Sequence, residues 1–527
     1  MKFRFPAICA LLLCLAVNAA GQGGTRDFSF VYDTNPYLNL NNPAGISFWD
    51  GKIATAAVSF EKHNGGLKDI EESSDSWEAI AGTESYFRVS ELLSFHGKLI
   101  WSDFSGKDMG GPIMMKPDYN PVGFFELNET TLGRKQRELY TLGGEIALNL
   151  GDRWGLGIGV NYQAGDQTKV KDPRFSNIWM DLDVNAGVTF TICDWLTLGT
   201  NARWRNTLEN VKGHIYGTTD KQYFICTDKG AFLGTVAELN GDYNYIPDST
   251  PRPMNNDYFG GALQAVLFGG KFSNEFTLLS RTGYYGKKSS TTATFFEFGG
   301  LQMGYKGIVL LPVGRYIFRA ELSAGIETLK NNENQFHYST PEGGNTIVEY
   351  TGQNHVGDRQ KQSASLDLRW YGGVEGDRAS FTAGVRGGWD SMQQTTTLYP
   401  FWRNQVIRHI NVGLFCQKNF YAGNNIFTLD ASGDFLAGSG TKKDDGSYVP
   451  DATSVTLRSF DDYLDKHYEA QTAPRAGGSI GVTYTRPVKS LSPWIKLSDN
   501  FTTLLANPDF LEGKTRNILT VSIGCTF

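Results

Sequence analysis

From Ile178 to Ile192 the sequence alternates with a period of two. Met180, Leu182, Val184, Ala186, Val188, Phe190 and Ile192 form one set, and Asp181, Asp183, Asn185, Thr189 and Thr191 form the other. A strand sends successive side chains to opposite faces, so this segment has one wholly apolar face and one charged face. Soluble strands average about 5–6 residues, whereas a strand crossing a bilayer needs about 9–11. A segment this long and this two-faced constrains the fold more than any other feature of the chain.

The pattern recurs. After a tight turn at Cys193-Asp194-Trp195, Leu196, Leu198, Ala202 and Trp204 oppose Thr197, Asn201, Arg203 and Arg205. Tyr316, Phe318, Ala320, Leu322, Ala324 and Ile326 oppose Arg319 and Glu321. Ala364, Leu366, Leu368 and Trp370 oppose Asp367 and Arg369; Phe381, Ala383, Val385 and Trp389 oppose Arg386. Phe427, Leu429, Ala431 and Phe435 oppose Asp430 and Asp434. A soluble β-sandwich would turn its apolar faces inward. Here the strands are too long for that, the polar faces mix acids with arginines as a wet or ion-paired lumen does, and aromatics recur at strand ends (Trp101, Trp154, Tyr162, Trp204, Trp370, Trp389) as interfacial girdles do.

Short connections alternate with long ones along the chain, as in a barrel with short periplasmic turns and longer extracellular loops. The long ones fall at 63–83, 104–137, 165–178, 207–257, 329–362, 390–406, 437–475 and 501–517. Strands are expected near 53–62, 84–91, 94–103, 138–149, 154–164, 179–192, 196–206, 258–268, 272–282, 292–305, 315–328, 363–372, 379–389, 407–417, 426–436, 476–486, 494–500 and 518–527. The reading is an all-β, transmembrane antiparallel β-barrel of about 18 strands, with 16 or 14 as alternatives, and an even count places both termini in the periplasm.

Both ends of the chain agree. Lys2 and Arg4 precede an apolar run from Ala7 to Val17, and Asn18-Ala19-Ala20-Gly21-Gln22 offers a small-residue cleavage site. That apolar run is too short to span a bilayer and reads as a signal peptide. The expected organisation is 1–21 signal peptide, 22–52 a periplasmic segment able to plug the lumen, and 53–527 the barrel. About 30 residues are too few for a globular plug domain, which argues against an energy-coupled receptor. At the far end Leu519, Val521, Ile523, Cys525 and Phe527 alternate with Thr520, Ser522, Gly524 and Thr526. A strictly alternating last strand ending in an aromatic resembles the signal read by the outer-membrane assembly machinery, with Phe527 as its terminal residue.

Composition excludes several classes. The formal net charge is −6, so the chain lacks the basic stripe of a nucleic-acid binder. Mean hydropathy is −0.31, and no stretch reaches 18 uninterrupted apolar residues, so no transmembrane helix is expected. Cys9 and Cys14 lie in the leader, and Cys193, Cys226, Cys416 and Cys525 are too scattered for a zinc or disulfide framework. His63, His96, His214, His337, His355, His409 and His467 form no metal-binding spacing, and neither metal nor cofactor is expected.

Ser94 and His96 share a strand face with Lys98, and His409 lies near Arg408 and Asn411, but lumen faces bring such groups together without catalysis. Gly155-Leu156-Gly157-Ile158-Gly159 and Gly299-Gly300 sit inside strands, where glycine relieves crowding rather than holding phosphate. Lys442-Lys443-Asp444-Asp445-Gly446 and Asp461-Asp462 have the wrong spacing for calcium and read as solvated loop. The functional candidates are the lumen charges Asp181, Asp183, Arg203, Arg205, Arg319, Glu321, Asp367, Arg369, Arg386, Asp430 and Asp434, which either set solute preference or pair across the lumen.

Two stretches resemble known families. Asn42-Pro43-Ala44-Gly45, just before the first strand, resembles an element of fatty-acid-transporter-type barrels. That resemblance implies an N-terminal segment plugging the barrel and apolar substrates passing through it. Glu84-Ser85-Tyr86-Phe87-Arg88, Trp101-Ser102-Asp103 and Asp172-Pro173-Arg174 resemble uncharacterised outer-membrane barrel proteins of Bacteroidetes over most of the chain, which implies fold and location but no site.

The expected partners are outer-membrane lipid and lipopolysaccharide, the assembly machinery, and an outer-membrane or periplasmic protein. The leading expectation is a passive or partner-assisted channel for small solutes. The alternative is a closed barrel whose loops 207–257 and 437–475 bind a surface partner; an enzyme is the least favoured.

Overall fold

The computed structural model describes residues 26–527 apart from 118–119, 127–130, 152, 217–221, 241–242, 247–251, 288, 290 and 451–456. The leader and its two cysteines lie outside the described residues. Eighteen antiparallel strands close into one barrel. They are β1 Lys52–Asn64, β2 Asp75–Arg88, β3 Leu93–Met109, β4 Gly133–Leu150, β5 Trp154–Lys169, β6 Arg174–Cys193, β7 Leu196–Ile215, β8 Met254–Leu267 and β9 Phe272–Gly286. They continue as β10 Thr294–Val313, β11 Tyr316–Ser339, β12 Ile347–Gly372, β13 Phe381–Leu398, β14 Phe401–Ala422, β15 Asn425–Asp444, β16 Arg475–Thr485, β17 Ser492–Leu504 and β18 Thr515–Thr526. Closure joins β1 to β18 from Thr55↔Thr526 to Asn64↔Asn517. Phe527 completes the seam: its N–H donates to the Ala54 carbonyl at 2.8 Å and its side chain is buried against Ala54.

The alternation resolves with apolar side chains outward. Phe259 and Leu263 are 69% and 66% exposed, whereas lumen-facing Asp181 and Arg319 are buried. A water-soluble protein keeps such side chains inside; an apolar outer belt suits hydrocarbon. Aromatic pairs ring the short-turn end: Trp154–Phe190, Trp195–Phe268, Phe318–Trp370 and Phe427–Tyr484. Trp101, Tyr162, Trp204 and Trp389 each point outward eight residues beyond the first residue of their strand. Eight residues cover about 26 Å of strand, or about 20 Å of height at a tilt of about 40°. The two aromatic levels therefore bracket a bilayer-sized belt.

The strands outrun their sequence signal. The segment expected at 84–91 runs over Asp75–Arg88, and the loop expected at 329–362 is the continuation of β11 and β12 to Ser339 and from Ile347. Above the belt both faces of a strand meet water or the cap, so alternation vanishes although pairing persists.

Two inserts fill the lumen. Near the short-turn end, residues 26–50 form helix α1 (Phe28–Thr34) and a 3-10 turn, Pro43–Phe48. At the long-loop end, strands from three loops (111–112, 123–126, 222–228, 233–240 and 457–459) make a five-stranded antiparallel sheet. One hydrophobic cluster joins Phe124 and Ile225 of this cap to Phe175, Val211, Met254 and Phe298 of the wall. Another joins Phe125, Cys226 and Phe232 to Phe460 and Leu464 beside and on helix α2 (Asp461–Thr472). The described parts of loops 207–257 and 437–475 (strands 222–228, 233–240 and 457–459 and helix α2) thus pack inward, where surface loops were expected, because their apolar residues have a wall to bury against.

Candidate functional site

The N-terminal segment is built from local rules. Asp27 caps α1 by accepting from the Phe30 N–H at 3.2 Å. Asn42 caps the 3-10 turn, its Oδ1 accepting from the Ala44 N–H at 3.0 Å, and Pro43 opens it. Small residues follow because the turn presses on the wall: a Cβ on Gly157 would sit 2.3 Å from the Ala44 nitrogen, and one on Gly187 would sit 2.0 Å from Asn42 Oδ1. The glycine run in β5 therefore relieves crowding, and the segment it accommodates is the N-terminus.

Hydrogen bonds fix this segment strand by strand. Asn42 Nδ2 donates to the Val188 carbonyl (3.2 Å), the Thr200 carbonyl (3.3 Å) and Gln264 Oε1 (2.8 Å). Asn41 donates to Glu275, and Lys306 donates to the Asn39 carbonyl at 2.9 Å. Arg319 donates to the Asp33 carbonyl at 3.0 Å, while Arg369 and Tyr371 hold the Asp33 carboxylate. These anchors run from β6 to β12.

The cap is locked by buried charge. Lys169 on β5 pairs with Glu126 of the cap, both side chains at most 1% exposed. Lys135 on β4 donates to the Gly110 and Pro112 carbonyls. Glu209 on β7 accepts from the Met115 N–H, and Arg403 on β14 pairs with Asp445 at 2.6 Å. Lys443–Asp461 (2.9 Å) and Lys442–Asp465 (2.5 Å) tie β15 to α2. The stretch expected as solvated loop at 442–446 and 461–462 is thus strand end, turn and helix start, held by ion pairs.

Most of the candidate charges find each other. Arg205 pairs with Asp181 at 2.6 Å, and Arg203 grips Asp183 with two Nε contacts at 2.9 Å. Arg319 pairs with Glu321, Arg369 with Asp367 at 2.7 Å, and Lys496 with Asp430 at 3.1 Å. Arg386 and Asp434 are solvent-exposed, and Arg386 lies 4.7 Å over the Phe415 ring. His96, which shares a face with Ser94, is held by Glu84 (3.1 Å) and Glu145 (3.4 Å) and stacks on Tyr86; Ser94 is buried. His409 pairs with Asp390 at 3.2 Å.

Two adjoining cavities lie beside the cap. One of 660 Å³ lies between the cap and β11–β14, touching Arg359, Asp390 and His409. One of 490 Å³ lies along β13–β18 below the end of α2 and contains Arg386 and Asp434. They meet at Asp69 and Gln471. There Asp69 receives His467 Nδ1 at 3.0 Å and Gln471 Nε2 at 2.8 Å. Burial raises the Asp69 pKa, but the charge and hydrogen bonds of His467 overcome it and hold the carboxyl below its ordinary range.

A family model spans residues 43–527, from Pro43 of the N-terminal turn to Phe527 at the seam. The chain belongs to DUF6850, a family of unknown function. No curated protein matches this DUF6850 chain. Among solved structures, the ferric enterobactin receptor PfeA of Pseudomonas aeruginosa is 9% identical over 91% of this chain and 82% of that one, with a TM-score of 0.39. The ferric preacinetobactin receptor BauA of Acinetobacter baumannii is 8% identical over 90% and 80%, at 0.36. A FadL homologue of P. aeruginosa is 11% identical over 97% and 99%, at 0.31.

Sequence reasoning missed the cap residues of this DUF6850 barrel. A usable signal exists: Met114-Met115, Phe124-Phe125 and Phe232-Leu233 are apolar pairs inside long connections that water alone would not favour.

Proposed function

We propose that this chain is an outer-membrane transporter of small polar solutes, passive or partner-assisted, whose path is the lumen lane along β13–β18. One observation carries this reading. The plug's hydrogen bonds from Asp33 to Asn42 fall on β6–β12 and its apolar contacts reach β1, β2 and β4, whereas the mid-barrel face of β13–β18 borders a 490 Å³ cavity with exposed charges of both signs. Charges lining a pore set its solute preference. In this reading the barrel sits in the bacterial outer membrane, akin to the Bacteroidetes barrels it resembles, with short turns and both termini in the periplasm. Phe527 hands it to the assembly machinery, and lipopolysaccharide surrounds its outer rim.

The test is planar-bilayer conductance and liposome uptake with purified protein, intact and lacking residues 26–50. Expected are low conductance when intact and a clear rise without the plug. Silence in both assays for both forms would overturn the reading. The second reading, a closed barrel serving an outer-membrane complex, is favoured by the cap that fills the long-loop end, and that silence is the result it expects.

A further inference from the structure

Within the 490 Å³ cavity nearly every charge is already engaged. Lys68 pairs with Glu512 at 3.0 Å, Arg516 with Glu72 at 3.0 Å, and Asp69 with His467 at 3.0 Å. Arg475 donates to the Ala470 carbonyl at 2.7 Å, and Glu71 is engaged as well. Arg386 and Asp434 are the exceptions among the described residues: neither makes an ion pair within 4 Å or a hydrogen bond, although Arg386 lies 4.7 Å over the Phe415 ring.

The register explains why they do not meet each other. Arg386 pairs with Gly413, and Gly413 with Asp434, so the two charges share one row but stand two strands apart, about 10 Å between backbones. The arginine stem leans over Gly413, with its Cγ 3.3 Å from where a Cβ would lie. The Asp434 carboxylate is laid the other way, 2.8 Å from where a Gly477 Cβ would lie. Gly413 gives the arginine stem room to lie over β14, and Gly477 lets the carboxylate rest against the wall.

We infer that Arg386 and Asp434 form a binding site for a small zwitterion, an α-amino acid or short peptide, with its carboxylate on Arg386 and its ammonium on Asp434. The inference rests on the transporter reading for its biological setting but not for its test. An anion gains at Arg386 and is repelled at Asp434, a cation the reverse, and a neutral sugar gains neither; a zwitterion satisfies both. Asn411 and Thr502 line the same cavity and offer hydrogen-bonding groups to a peptide unit. The volume lies within the range of about 300–1,000 Å³ usual for small-molecule sites.

The test is calorimetric binding to the purified full-length barrel in detergent. The probes are L-alanine and L-alanyl-L-alanine, against N-acetyl-L-alanine and L-alaninamide, which each carry one charge. Expected is saturable binding of at least one zwitterion, about tenfold or more tighter than either singly charged analogue. Arg386→Gln should abolish that preference over the cation, and Asp434→Asn that over the anion. Gly413→Leu, whose side chain meets the Arg386 stem and shifts the guanidinium without removing either charge, should abolish zwitterion binding if either charge variant assembles poorly. Absence of saturable zwitterion binding, equal binding of all four probes, or binding untouched by all three substitutions would overturn the site. Liposome uptake of L-alanine and of a neutral pentose separates the two claims. Binding without uptake of either solute sinks the transporter and keeps the site, and uptake without zwitterion binding does the opposite.

Discussion

The wall of β6–β12 and the wall of β13–β18 begin from the same sequence pattern and end in different states. Both alternate apolar and charged positions, and both turn the charges inward. On β6–β12 the lumen face is covered by the plug and cap, and its charges are consumed. Asp181 and Arg205, Asp183 and Arg203, Arg319 and Glu321 pair with one another, and Arg369 also holds Asp33 of the plug. On β13–β18 the mid-barrel face is uncovered, and Arg386 and Asp434 stay exposed. Covering a charge in a low-dielectric interior demands a partner, whereas a charge facing solvent does not. Whether a lumen residue supports structure or meets solutes is therefore decided by what rests on it.

The largest effect should come from uncovering the closed wall. Deletion of residues 26–50 removes the anchors on β6–β12 while leaving all eighteen strands, and single-channel conductance should rise at least about tenfold. An unchanged conductance from a correctly assembled barrel would show that the cap, not the plug, closes the lumen, and would move the boundary between the two walls.

Next in size is the buried lock between cap and wall. Glu126→Gln strands Lys169, which is fully buried, and should destabilise the cap by about 3–5 kcal/mol. Limited proteolysis in loop 207–257 reads this directly. Adding Lys169→Met should restore much of the loss. A cap that resists protease in the single variant would mean that the pair contributes little.

How far this contrast was legible depends on where each residue gets its partner. Inward placement of Asp181, Arg203, Arg386 and Asp434 follows from alternation alone, as does the strand count. The seam at Phe527 and the crowding at Gly155 and Gly157 were also visible, because both are local. Which charges pair was not: Asp430 meets Lys496 across β16, a contact set by the register of strands joined through a long connection. The cap was hidden for a related reason. Its strands, such as 222–228 and 123–126, come from loops nearly one hundred residues apart and pair only inside the finished barrel.

At the border of the two walls, Asp228 of the cap lines the 660 Å³ cavity. Burial pushes its carboxyl from 3.8 up to about 6, although N–H groups of Gly230, Phe232 and Leu233 oppose the shift. A raised carboxyl favours the folded cap most when protonated. Its contribution is fully present below about pH 3.8 and is lost as pH rises through about 6. Amide exchange at Phe232 and Leu233 should therefore quicken between pH 5 and pH 7 beyond its intrinsic rise. Asp228→Asn should remove that excess, and an excess that survives the substitution would assign it to another group.

The smallest expected effect is the sharpest discriminator. On the closed wall, Arg203→Met leaves Asp183 half-covered without its partner and should lower thermal stability measurably. On the open wall, Arg386→Gln and Asp434→Asn break no ion pair and should each change stability by no more than about 0.5 kcal/mol, the usual range for exposed substitutions. Thermal unfolding in one detergent, at one pH, compares all three. If the open-wall variants fall as far as Arg203→Met, their charges are bound into a network and cannot be free to meet a solute. If they hold while solute binding is lost, the two walls differ in the way their coverings imply: one set of charges keeps the lumen filled, and the other is kept available inside it.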